Sequence, residues 1–478
     1  IAGSQHTTNL PIDVNIKGGE ISETGTNGHA LYEIDTVKDE KAENVAKDVS
    51  ITVSGGSFNG NVYSTNNKLS ITGGAFTDLA NAVKYAADNA TIKLADDVTV
   101  TKPIEVTKSM TLDLNGHVLT AATASDRSES KDVKNSAIWV TAEKVNLTID
   151  GTTAGSGMTM GDTHETEWTK KVWGFVDLRE GSAGSTVTVN GGSYTGSTCA
   201  SDNYHYTALF TVGSESKLVL NNVSAETDER VVKASGCGEV IVSGGTYNIT
   251  GINAFLGAAF ETKTASFTNM KLTAKYGGCV QVGNNATFEN CEIKVTDIRT
   301  GEGTHLNCAV AVQYGGTATV KSGIYTAPYA AYVYSSGGTI DIENGTFTGV
   351  VRADATTDAT ATINIKNGSF KGDIQKSGGP GSETIAISGG LFSSDPSDYV
   401  AASHYVDASN NGDYPYIVKE GTKPVGALIV VKDKTEPTVS GDITGTDKTA
   451  INDVIGNANV DGVAEAAKKA DIVTKSGV

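Results

Sequence analysis

Aromatic and acidic side chains gather in four stretches of the chain, at about positions 121–136, 158–171, 197–206 and 296–307. These stretches carry or adjoin all three tryptophans of the chain. Aromatic faces stack on sugar rings and carboxylates accept hydrogen bonds from sugar hydroxyls, so the combination favours a carbohydrate ligand. The candidate ligand-binding residues are Trp139, Trp168, Trp173, Tyr204, His205, Tyr206, Asp162 and Glu167.

The tryptophans also have a purely structural interpretation. Trp139 and Trp173 stand where a stretch would rejoin a strand, and large aromatic side chains at such places often cover a hydrophobic core. A binding face and a cover over the core therefore remain as two alternatives.

Catalysis on polysaccharides has weak support in the residues. Glycoside hydrolysis needs two carboxylates held across the scissile bond, and Asp96–Asp97 is the only adjacent Asp pair. A lyase would need an acidic cluster for a cation beside a basic residue, and the nearest approach is the group Asp228, Glu229, Arg230 and Lys233. Such charge clusters in loops are usually solvated surface, so we predict no catalytic residue, although a polysaccharide lyase or glycoside hydrolase stays an alternative.

The five cysteines are Cys199, Cys237, Cys279, Cys291 and Cys308. They show no CxxC spacing and no clustered histidine, so we predict neither a metal site nor a cofactor. The expected role of the cysteines is that of small apolar residues buried in the fold.

A repeated sequence pattern predicts the strands and corners that would position these side chains. The segment TINIKNGSF at 362–370 has close copies along the chain, and each copy has alternating apolar residues, a corner of small residues and an aromatic residue. The first small residue of the corner, here named the anchor, recurs at Gly18, Gly55, Gly73, Gly116, Gly151, Gly191, Asn222, Gly244, Asn269, Asn290, Ser322, Asn344, Asn367 and Gly389. A period of about 22 residues with alternation inside it predicts an all-β chain, a right-handed parallel β-helix.

The residue types at the anchors agree with this fold. Glycine, and next asparagine, enters the left-handed backbone region at low cost. Stacked asparagines at equivalent corners would form a hydrogen-bonded ladder, which we predict for Asn222, Asn269, Asn290, Asn344 and Asn367. The apolar residues on both sides, such as Ile363, Ile365 and Phe370, are expected to point into the core.

Composition and charge exclude some classes of binding partner. The chain has 55 Gly, 8 Pro and a formal net charge of −18. An acidic surface disfavours nucleic acid and anionic membranes, both of which select Lys and Arg. No apolar run reaches the roughly 18 residues of a membrane span, so no membrane insertion is predicted.

The period and its interruptions predict five regions. Residues 1–76 form a short β-helical array or the end of a preceding one, 77–90 a capping helix with Thr77 or Asp78 as its N-cap, and 91–392 the main β-helix. Residues 393–420 close the coil. Residues 421–478 form a small tail with one strand at ALIVVK and a helix near 463–472.

Four longer spacings between anchors locate the insertions. They begin at Gly116, Gly151, Gly191 and Asn290, and the extra residues come five to seven positions after the anchor. Insertions at one phase of a coil leave the solenoid at one corner, so the four stretches are expected to stack along one edge. Loops on a rigid scaffold commonly carry recognition.

The segments ISGGLFSSDPSDYVA and TLDLNGHVLTA, with the repeated coils, resemble the β-helical, adhesin-like surface proteins of anaerobic gut bacteria. The resemblance covers about residues 10–418. It implies a secreted or cell-surface protein that acts in adhesion or as a stalk, with a host or dietary glycan as partner. A further alternative is a filament or surface-layer subunit that self-associates end to end through exposed β-edges.

Overall fold

The computed structural model describes residues 2–3, 12–23, 25, 28–33, 49–64, 68–122, 136–160, 174–178, 181–196, 208–213, 215–228, 230–234, 238–251, 256–258, 262–298, 307–408, 412–423, 427–430, 439–442 and 473–475. Within them nearly all regular structure is β-strand, and the long ladders are parallel. The predicted parallel β-helix is therefore confirmed. Among these residues no helix has the length and apolar character needed to cross a membrane.

The chain divides into two compact units, Ile1–Ile385 and Ala386–Val478. The strands that begin in the first unit are β1 (Ala2–Gly3), β2 (Ile12–Ile16), β3 (Glu20–Ser22), β4 (His29–Glu33), β5 (Val49–Val53), β6 (Ser57–Asn59), β7 (Asn61–Ser64), β8 (Leu69–Phe76), β9 (Ala86–Leu94), β10 (Val98–Val100), β11 (Ile104–Val106), β12 (Met110–Asp113), β13 (Val118–Ala121), β14 (Ser136–Val140), β15 (Asn146–Gly151), β16 (Gly157–Met160), β17 (Gly174–Leu178), β18 (Thr186–Gly191), β19 (Ser193–Thr195), β20 (Ala208–Val212), β21 (Lys217–Asn221), β22 (Ser224–Thr227), β23 (Arg230–Ala234), β24 (Glu239–Ser243), β25 (Thr246–Ile249), β26 (Leu256–Ala258), β27 (Thr262–Thr268), β28 (Lys271–Ala274), β29 (Cys279–Glu289), β30 (Cys291–Val295), β31 (Cys308–Gln313), β32 (Gly316–Val320), β33 (Gly323–Val333), β34 (Gly338–Ile342), β35 (Thr346–Ala353), β36 (Thr360–Ile365), β37 (Ser369–Lys371), β38 (Ile374–Lys376) and β39 (Ser382–Ile387). One helix, α1 (Leu79–Lys84), interrupts them.

Each coil contributes strands to three faces of the solenoid. The strand before the anchor lies on the first face, where β12, β15, β18, β21 and β24 pair in sequence. The strand just after the anchor lies on the second face, as β16, β19 and β22 do. The last strand of the coil lies on the third face, as β14, β17, β20 and β23 do. Later in the chain β29, β33 and β35 each pair on two faces.

The predicted anchors form two rows along the axis. The register of β2, β5 and β8 aligns Gly18, Gly55 and Gly73 with one another. Gly73 lies opposite Thr91, and this register leads to Thr148, three residues before Gly151, where the second row begins.

In the second row Gly151 lies opposite Gly191, and the following first-face ladders keep the anchors from Asn222 to Asn367 in line. Gly116 is the exception, since the pairing of β12 with β15 aligns Leu114 with Gly151. Asn115 and Gly116 both have positive φ, 53° and 87°, and they form an extra turn after Leu114.

Most coils turn at what we call a glycine corner, with glycine one position after the anchor and an aromatic residue two positions further on. At Gly345 φ is 142°, and an added Cβ would lie 3.0 Å from Cε2 of Phe347. The same proximity relates Gly368 to Phe370, at 3.2 Å. The glycine therefore leaves room for the ring as well as permitting the backbone conformation.

The aromatic residues of successive glycine corners stack inside the coil. The ring centroids of Tyr325 and Phe347 are 4.9 Å apart, and those of Phe347 and Phe370 are 5.0 Å apart. All three side chains are buried, and each buried Phe stabilises the fold by roughly 1.5–3 kcal/mol. The predicted core residues Ile363 and Ile365 are also buried.

Three coils turn at what we call an asparagine corner. Asn222, Asn269 and Asn290 have φ near 52–55°, and a buried aliphatic or thiol side chain follows each of them. Those followers are Val223, Met270 and Cys291, and the residues two positions further on are Ala225, Leu272 and Ile293 rather than aromatic residues.

The predicted asparagine ladder is present as one step. Asn290 Nδ2 donates a 2.6 Å hydrogen bond to Asn269 Oδ1. Gly244 separates Asn222 from Asn269 in the row. Asn344 uses its Oδ1 to accept from the amide of Gly345 instead. The ladder ends there because the coils of Asn344 and Asn367 turn at the glycine that follows the asparagine.

The helix is shorter than predicted and lies within the solenoid. Asp78 is its N-cap and accepts a hydrogen bond from the amide of Asn81 at 3.3 Å, but residues from Ala86 onward form β9. Alternate burial along β9, and its parallel pairing with β8 and β12, outweigh the local helical pattern. Parallel pairing thus runs without a break from residues 12–76 into the main array. A register shift between Ile71 and Gly73 aligns the residues from Gly73 to Phe76 with the first face of the main array.

Helix α1 takes the place of a third-face strand. On that face β1, β4 and β7 pair with one another, the later ladder starts at β11, and α1 packs against both β7 and β11. Asp78 Oδ2 accepts from the amide of Val62 at 2.8 Å, and the Tyr85 hydroxyl donates to the carbonyl of Ser64 at 2.9 Å. These bonds satisfy backbone groups that a neighbouring strand would otherwise pair.

The second unit contains antiparallel strands: β40 (Gly390–Phe392), β41 (His404–Asp407), β42 (Tyr416–Glu420), β43 (Ala427–Val430), β44 (Val439–Asp442) and β45 (Val473–Lys475). Strand β42 pairs with β40 and β41, and β43 pairs with β44 and β45. The strand predicted at ALIVVK corresponds to β43. The helix predicted near 463–472 lies outside the described residues.

Candidate functional site

The four predicted insertions leave the coil at one kind of junction. Each joins a second-face strand to a third-face strand, and they connect β13 to β14, β16 to β17, β19 to β20, and β30 to β31. The same junction is only two residues long between β22 and β23. Insertion length therefore varies at one edge of the solenoid, which we call the insertion edge.

The first three insertions belong to consecutive coils. Where they leave the second face, Thr120 lies opposite Thr159, and Thr159 lies opposite Thr195. Where they return, Ser136 lies opposite Gly174. Strand spacing in a ladder is about 4.8 Å, so three peptide segments start and end within about 10 Å of one another along the axis.

Trp139 is the one candidate ligand-binding residue whose side chain the structure describes. It lies in β14 between Ile138 and Val140, which are both fully buried in the core, whereas Trp139 itself is half-buried. Because side chains alternate along a strand, the indole lies on the outer face of the solenoid. It therefore does not cover the core from within. Its buried Nε1 has no hydrogen-bond acceptor among the described residues.

Polar residues flank Trp139 along the outside of the third face. Glu105 lies opposite Trp139 on one side and Asp177 on the other, and the row continues through Thr211 to Lys233. Glu105 is exposed, whereas Asp177 is fully buried. The exposed part of the indole offers a stacking surface, and the carboxylate of Glu105 beside it can accept hydrogen bonds from hydroxyl groups.

Glu105, Asp177 and Thr211 were not predicted from the sequence. They are 34 to 106 positions apart in the chain, and insertions of different lengths separate the strands that carry them. The pairing of third-face strands alone brings them into one row. The residues Trp168, Trp173, Tyr204, His205, Tyr206, Asp162 and Glu167 lie outside the described residues.

Asp96, Asp97 and His117 form a small group with metal-ligating atoms within 4.8 Å of one another. All three are at least partly exposed. Asp96 Oδ1 accepts from the amide of Asp97 at 2.8 Å, and Asp97 Oδ1 accepts from the amide of Val118 at 2.8 Å and lies 3.6 Å from His117 Nδ1. These carboxylates stabilise the turns between β9 and β13.

The other predicted charge group does not converge on one point. Asp228 is buried, Arg230 begins β23, and Lys233 lies in the outer row with Trp139. Glu229 lies outside the described residues.

The three described cysteines, Cys279, Cys291 and Cys308, are buried and form no disulfide. Burial raises the pKa of each thiol above its usual value. Thiols with a raised pKa are poor nucleophiles and poor metal ligands. The prediction of small buried residues holds for these three, and Cys199 and Cys237 lie outside the described residues.

Comparisons with protein-family models, with curated proteins and with solved structures each returned no match.

Proposed function

We propose that this chain is an extracellular, adhesin-like or stalk protein that binds host or dietary glycans at the insertion edge and performs no catalysis. The insertions supply specificity, and the solenoid supplies a rigid support that holds them in place. Trp139 supplies an aromatic surface at the base of the insertions.

The alignment of the strand ends at which three consecutive insertions leave and rejoin the solenoid carries this proposal. A glycan chain is a linear series of similar units, and a row of segments repeated along an axis offers it a series of similar contacts. The half-buried indole of Trp139 faces outward, and its exposed part is suited to stack on a sugar ring. Glu105, which is exposed and lies opposite Trp139, adds an acceptor on one side.

The uninterrupted parallel pairing of successive coils favours a role as a rigid stalk. Parallel ladders connect successive coils from β2 to β36, so bending the solenoid would break main-chain hydrogen bonds. Such a rod holds a binding edge at a distance from the surface to which it is attached.

The test is binding to an array of mucin-type and plant glycans. The variants are a protein with 161–173 and 197–207 shortened to two-residue turns like that of β22–β23, and Trp139→Ala. Tyr314→Ala is the matched control, because Tyr314 is an exposed aromatic residue, 53% exposed, that follows β31 and lies away from the insertion edge.

We expect shortening to abolish binding and Trp139→Ala to weaken it about fivefold or more, since an aromatic stack is worth roughly 0.5–1.5 kcal/mol beyond its buried area. Tyr314→Ala should bind normally. Binding that survives shortening of both insertions would overturn the proposal. Absence of binding by the unaltered protein would also count against it.

A further inference from the structure

A second row of outward-facing side chains lies on the third face of later coils, where β31 follows the fourth insertion and the other strands of the row follow no insertion. Ala311 lies opposite Tyr332, Tyr332 opposite Arg352, and Arg352 opposite Gln375. The strands are β31, β33, β35 and β38. The row places a phenol, a guanidinium and a carboxamide at successive steps of about 4.8 Å.

Three tyrosines surround the guanidinium of this row. The ring centroids of Tyr329 and Tyr332 are 4.9 Å apart in a stacked arrangement, and Tyr334 meets Tyr332 edge-on at 5.6 Å. Arg352 Cζ lies 6.0 Å from the ring centroid of Tyr329 and 5.9 Å from that of Tyr332. Tyr332 is buried on Cys308 and Ala311, whereas Tyr329, Tyr334 and Arg352 are half-buried. The cluster therefore joins an aromatic surface to a fixed cation.

Asp354, the acid two positions beyond Arg352, is engaged elsewhere. Its Oδ2 accepts a 2.9 Å hydrogen bond from the Tyr332 hydroxyl, and its Oδ1 accepts a 2.9 Å hydrogen bond from Ser377 Oγ. Asp354 thus orients Tyr332 and forms no ion pair with Arg352. Burial, and then the hydrogen bond to Asp354, raise the pKa of Tyr332, which keeps the phenol neutral.

Arg352 makes no hydrogen bond and no ion pair with any residue that the structure describes, and its Nε is buried without an acceptor. Gln375 is half-buried and likewise makes no hydrogen bond within the described part of the chain. An arginine without a partner is unexpected in a chain with 55 acidic and 37 basic residues. The other guanidinium nitrogens of this half-buried side chain are not buried, so their N–H groups are available to the acceptor oxygens of a ligand.

We propose that Arg352 and Gln375 bind the carboxylate of an acidic sugar, and that the tyrosine cluster supports the sugar ring. The planar guanidinium matches a carboxylate through two parallel hydrogen bonds, and the Gln375 amide supplies a further N–H donor. The aromatic surface of Tyr329 and Tyr334 offers apolar contact to the ring. This acidic-sugar site is separate from the three consecutive insertions and goes beyond the function proposed above.

The test is titration calorimetry with trigalacturonic acid, with its methyl ester and with sialyllactose. The ester keeps the sugar rings and removes the charge, and sialyllactose presents a carboxylate on a different sugar. The protein variants are Arg352→Gln, Arg352→Lys and Gln375→Ala. Lys366→Gln is the charge-matched control, because Lys366 is exposed, lies at a first-face corner and contacts Glu343 at 3.5 Å.

We expect at least one of the two acids to bind, and the ester to bind tenfold or more weaker than trigalacturonic acid if that acid is the ligand. Arg352→Gln should weaken binding about tenfold or more, because hydrogen bonds to charged groups are the strong ones. Arg352→Lys should recover part of the loss and Gln375→Ala should cause a smaller one. Which acid binds better identifies the sugar class.

Several results would overturn the acidic-sugar site: no binding of either acid, equal binding of acid and ester when sialyllactose does not bind, or unchanged binding by Arg352→Gln. A loss in Lys366→Gln as large as in Arg352→Gln would also overturn it, since that points to general charge. If Arg352→Gln melts at a lower temperature than the unaltered protein, Gln375→Ala decides, and no loss in that variant rejects the site. The protein with shortened insertions should keep this binding, so that failure of one proposal is distinguished from failure of the other.

Discussion

The glycine corners and the asparagine corners make the same turn of the same solenoid with different side chains. At a glycine corner, such as the one at Gly345, the residue after the anchor has no side chain and the ring of Phe347 occupies the space. At the asparagine corner of Asn290, the Cys291 side chain occupies the interior and Ile293 stands where the ring would be. The residue after the anchor and the residue two positions further on therefore depend on each other, because their side chains together fill a fixed volume of the close-packed interior.

The difference extends to the backbone. Asparagine corners use φ near 52–55° at the anchor, a left-handed conformation that asparagine tolerates, and they leave its side chain available for a bond along the axis. Glycine corners such as Gly323, Gly345 and Gly368 use φ between 127° and 142° one residue later, where only glycine is comfortable. Asparagine corners can therefore form hydrogen bonds between neighbouring anchors, as Asn290 and Asn269 do, whereas the anchor Asn344 at a glycine corner bonds to the following amide.

Substitution of a corner glycine should have the largest effect. Gly345→Ala would bring a Cβ to 3.0 Å from Phe347 and to 3.2 Å from the carbonyl oxygen of Gly323, at φ 142°. We expect a loss of about 2–4 kcal/mol in the free energy of unfolding, from backbone strain and overpacking together. Gly378→Ala is the control, since Gly378 has φ 75° with open space around it, and should cost only about 1 kcal/mol. Urea unfolding midpoints that are equal for the two variants would contradict the packing explanation.

Conversion of an asparagine corner tests whether the two interior positions are coupled. Ile293 lies opposite Tyr325 of the next coil, so Ile293→Phe alone should overpack the interior and cost roughly 1–3 kcal/mol. Adding Cys291→Gly should recover part of that loss, although Cys291→Gly alone is destabilising. A double-mutant cycle by thermal unfolding measures the coupling, which we expect to exceed about 0.5 kcal/mol. If the effects of Cys291→Gly and Ile293→Phe on the free energy of unfolding simply add, the two positions are not coupled and this explanation is wrong.

The asparagine ladder separates two contributions at Asn290. Asn290→Gly keeps the left-handed backbone and removes the 2.6 Å bond to Asn269, and should cost about 1 kcal/mol. Asn290→Ala removes the bond and also strains the backbone, and should cost about 1 kcal/mol more. Unfolding midpoints of both variants give the two values. Equal loss in both variants would mean that the positive φ at this anchor carries no cost for alanine.

The smallest expected effect concerns a third kind of corner, at residues 377–379, which a carboxylate supports. Glu383 accepts hydrogen bonds from Ser377 Oγ and from the amides of Ala355, Gly378 and Gly379. Burial raises the pKa of Glu383, but these hydrogen bonds together outweigh it, so the pKa is lowered from the usual 4.5. A lowered pKa in the folded state stabilises the fold above the pKa of the unfolded chain, and this contribution is lost as the pH falls through the folded value.

We therefore expect Glu383→Gln to lower the melting temperature at pH 7 by a small amount and to have less effect at pH 3. Glu343→Gln is the control, because Glu343 is exposed and meets Lys366 only at 3.5 Å. It should change little at either pH, as exposed ion pairs contribute little. An equal effect of Glu383→Gln at both pH values would contradict the role assigned to the ionised carboxylate.

Part of the candidate site could be predicted and part could not. The spacing of the anchors predicted that four insertions leave at one phase, and the strand bounds place all four at one junction. The row of Glu105, Trp139 and Asp177 was not predictable, because insertions of unequal length hide which residues of the third face lie side by side. Helix prediction failed at residues 86–90 for a related reason, since these residues belong to β9, whose pairing with two neighbouring strands overrides local propensity.

The acidic-sugar site shows most clearly what could not be predicted from the sequence. Arg352 and Gln375 are 23 positions apart, and Tyr332 is 20 positions before Arg352, so their proximity follows from the coil length. The coil length does not show which side chains face outward, because the β33–β35 ladder shifts register between Thr326 and Ala331. After such a shift, strict alternation assigns residues to the wrong face.

The amino-acid sequence by itself determined the solenoid, its coil length, the row of anchors from Gly151 onward and the edge at which the chain is interrupted. It could do so because a corner admits few residue types and a buried strand admits few patterns, and both restrictions are local and repeated. Only the tertiary structure decided which anchors bond to one another, where α1 replaces a strand and which polar side chains share an outer row. Those outcomes depend on register between strands distant in the chain, where one residue of shift moves a side chain to the opposite face.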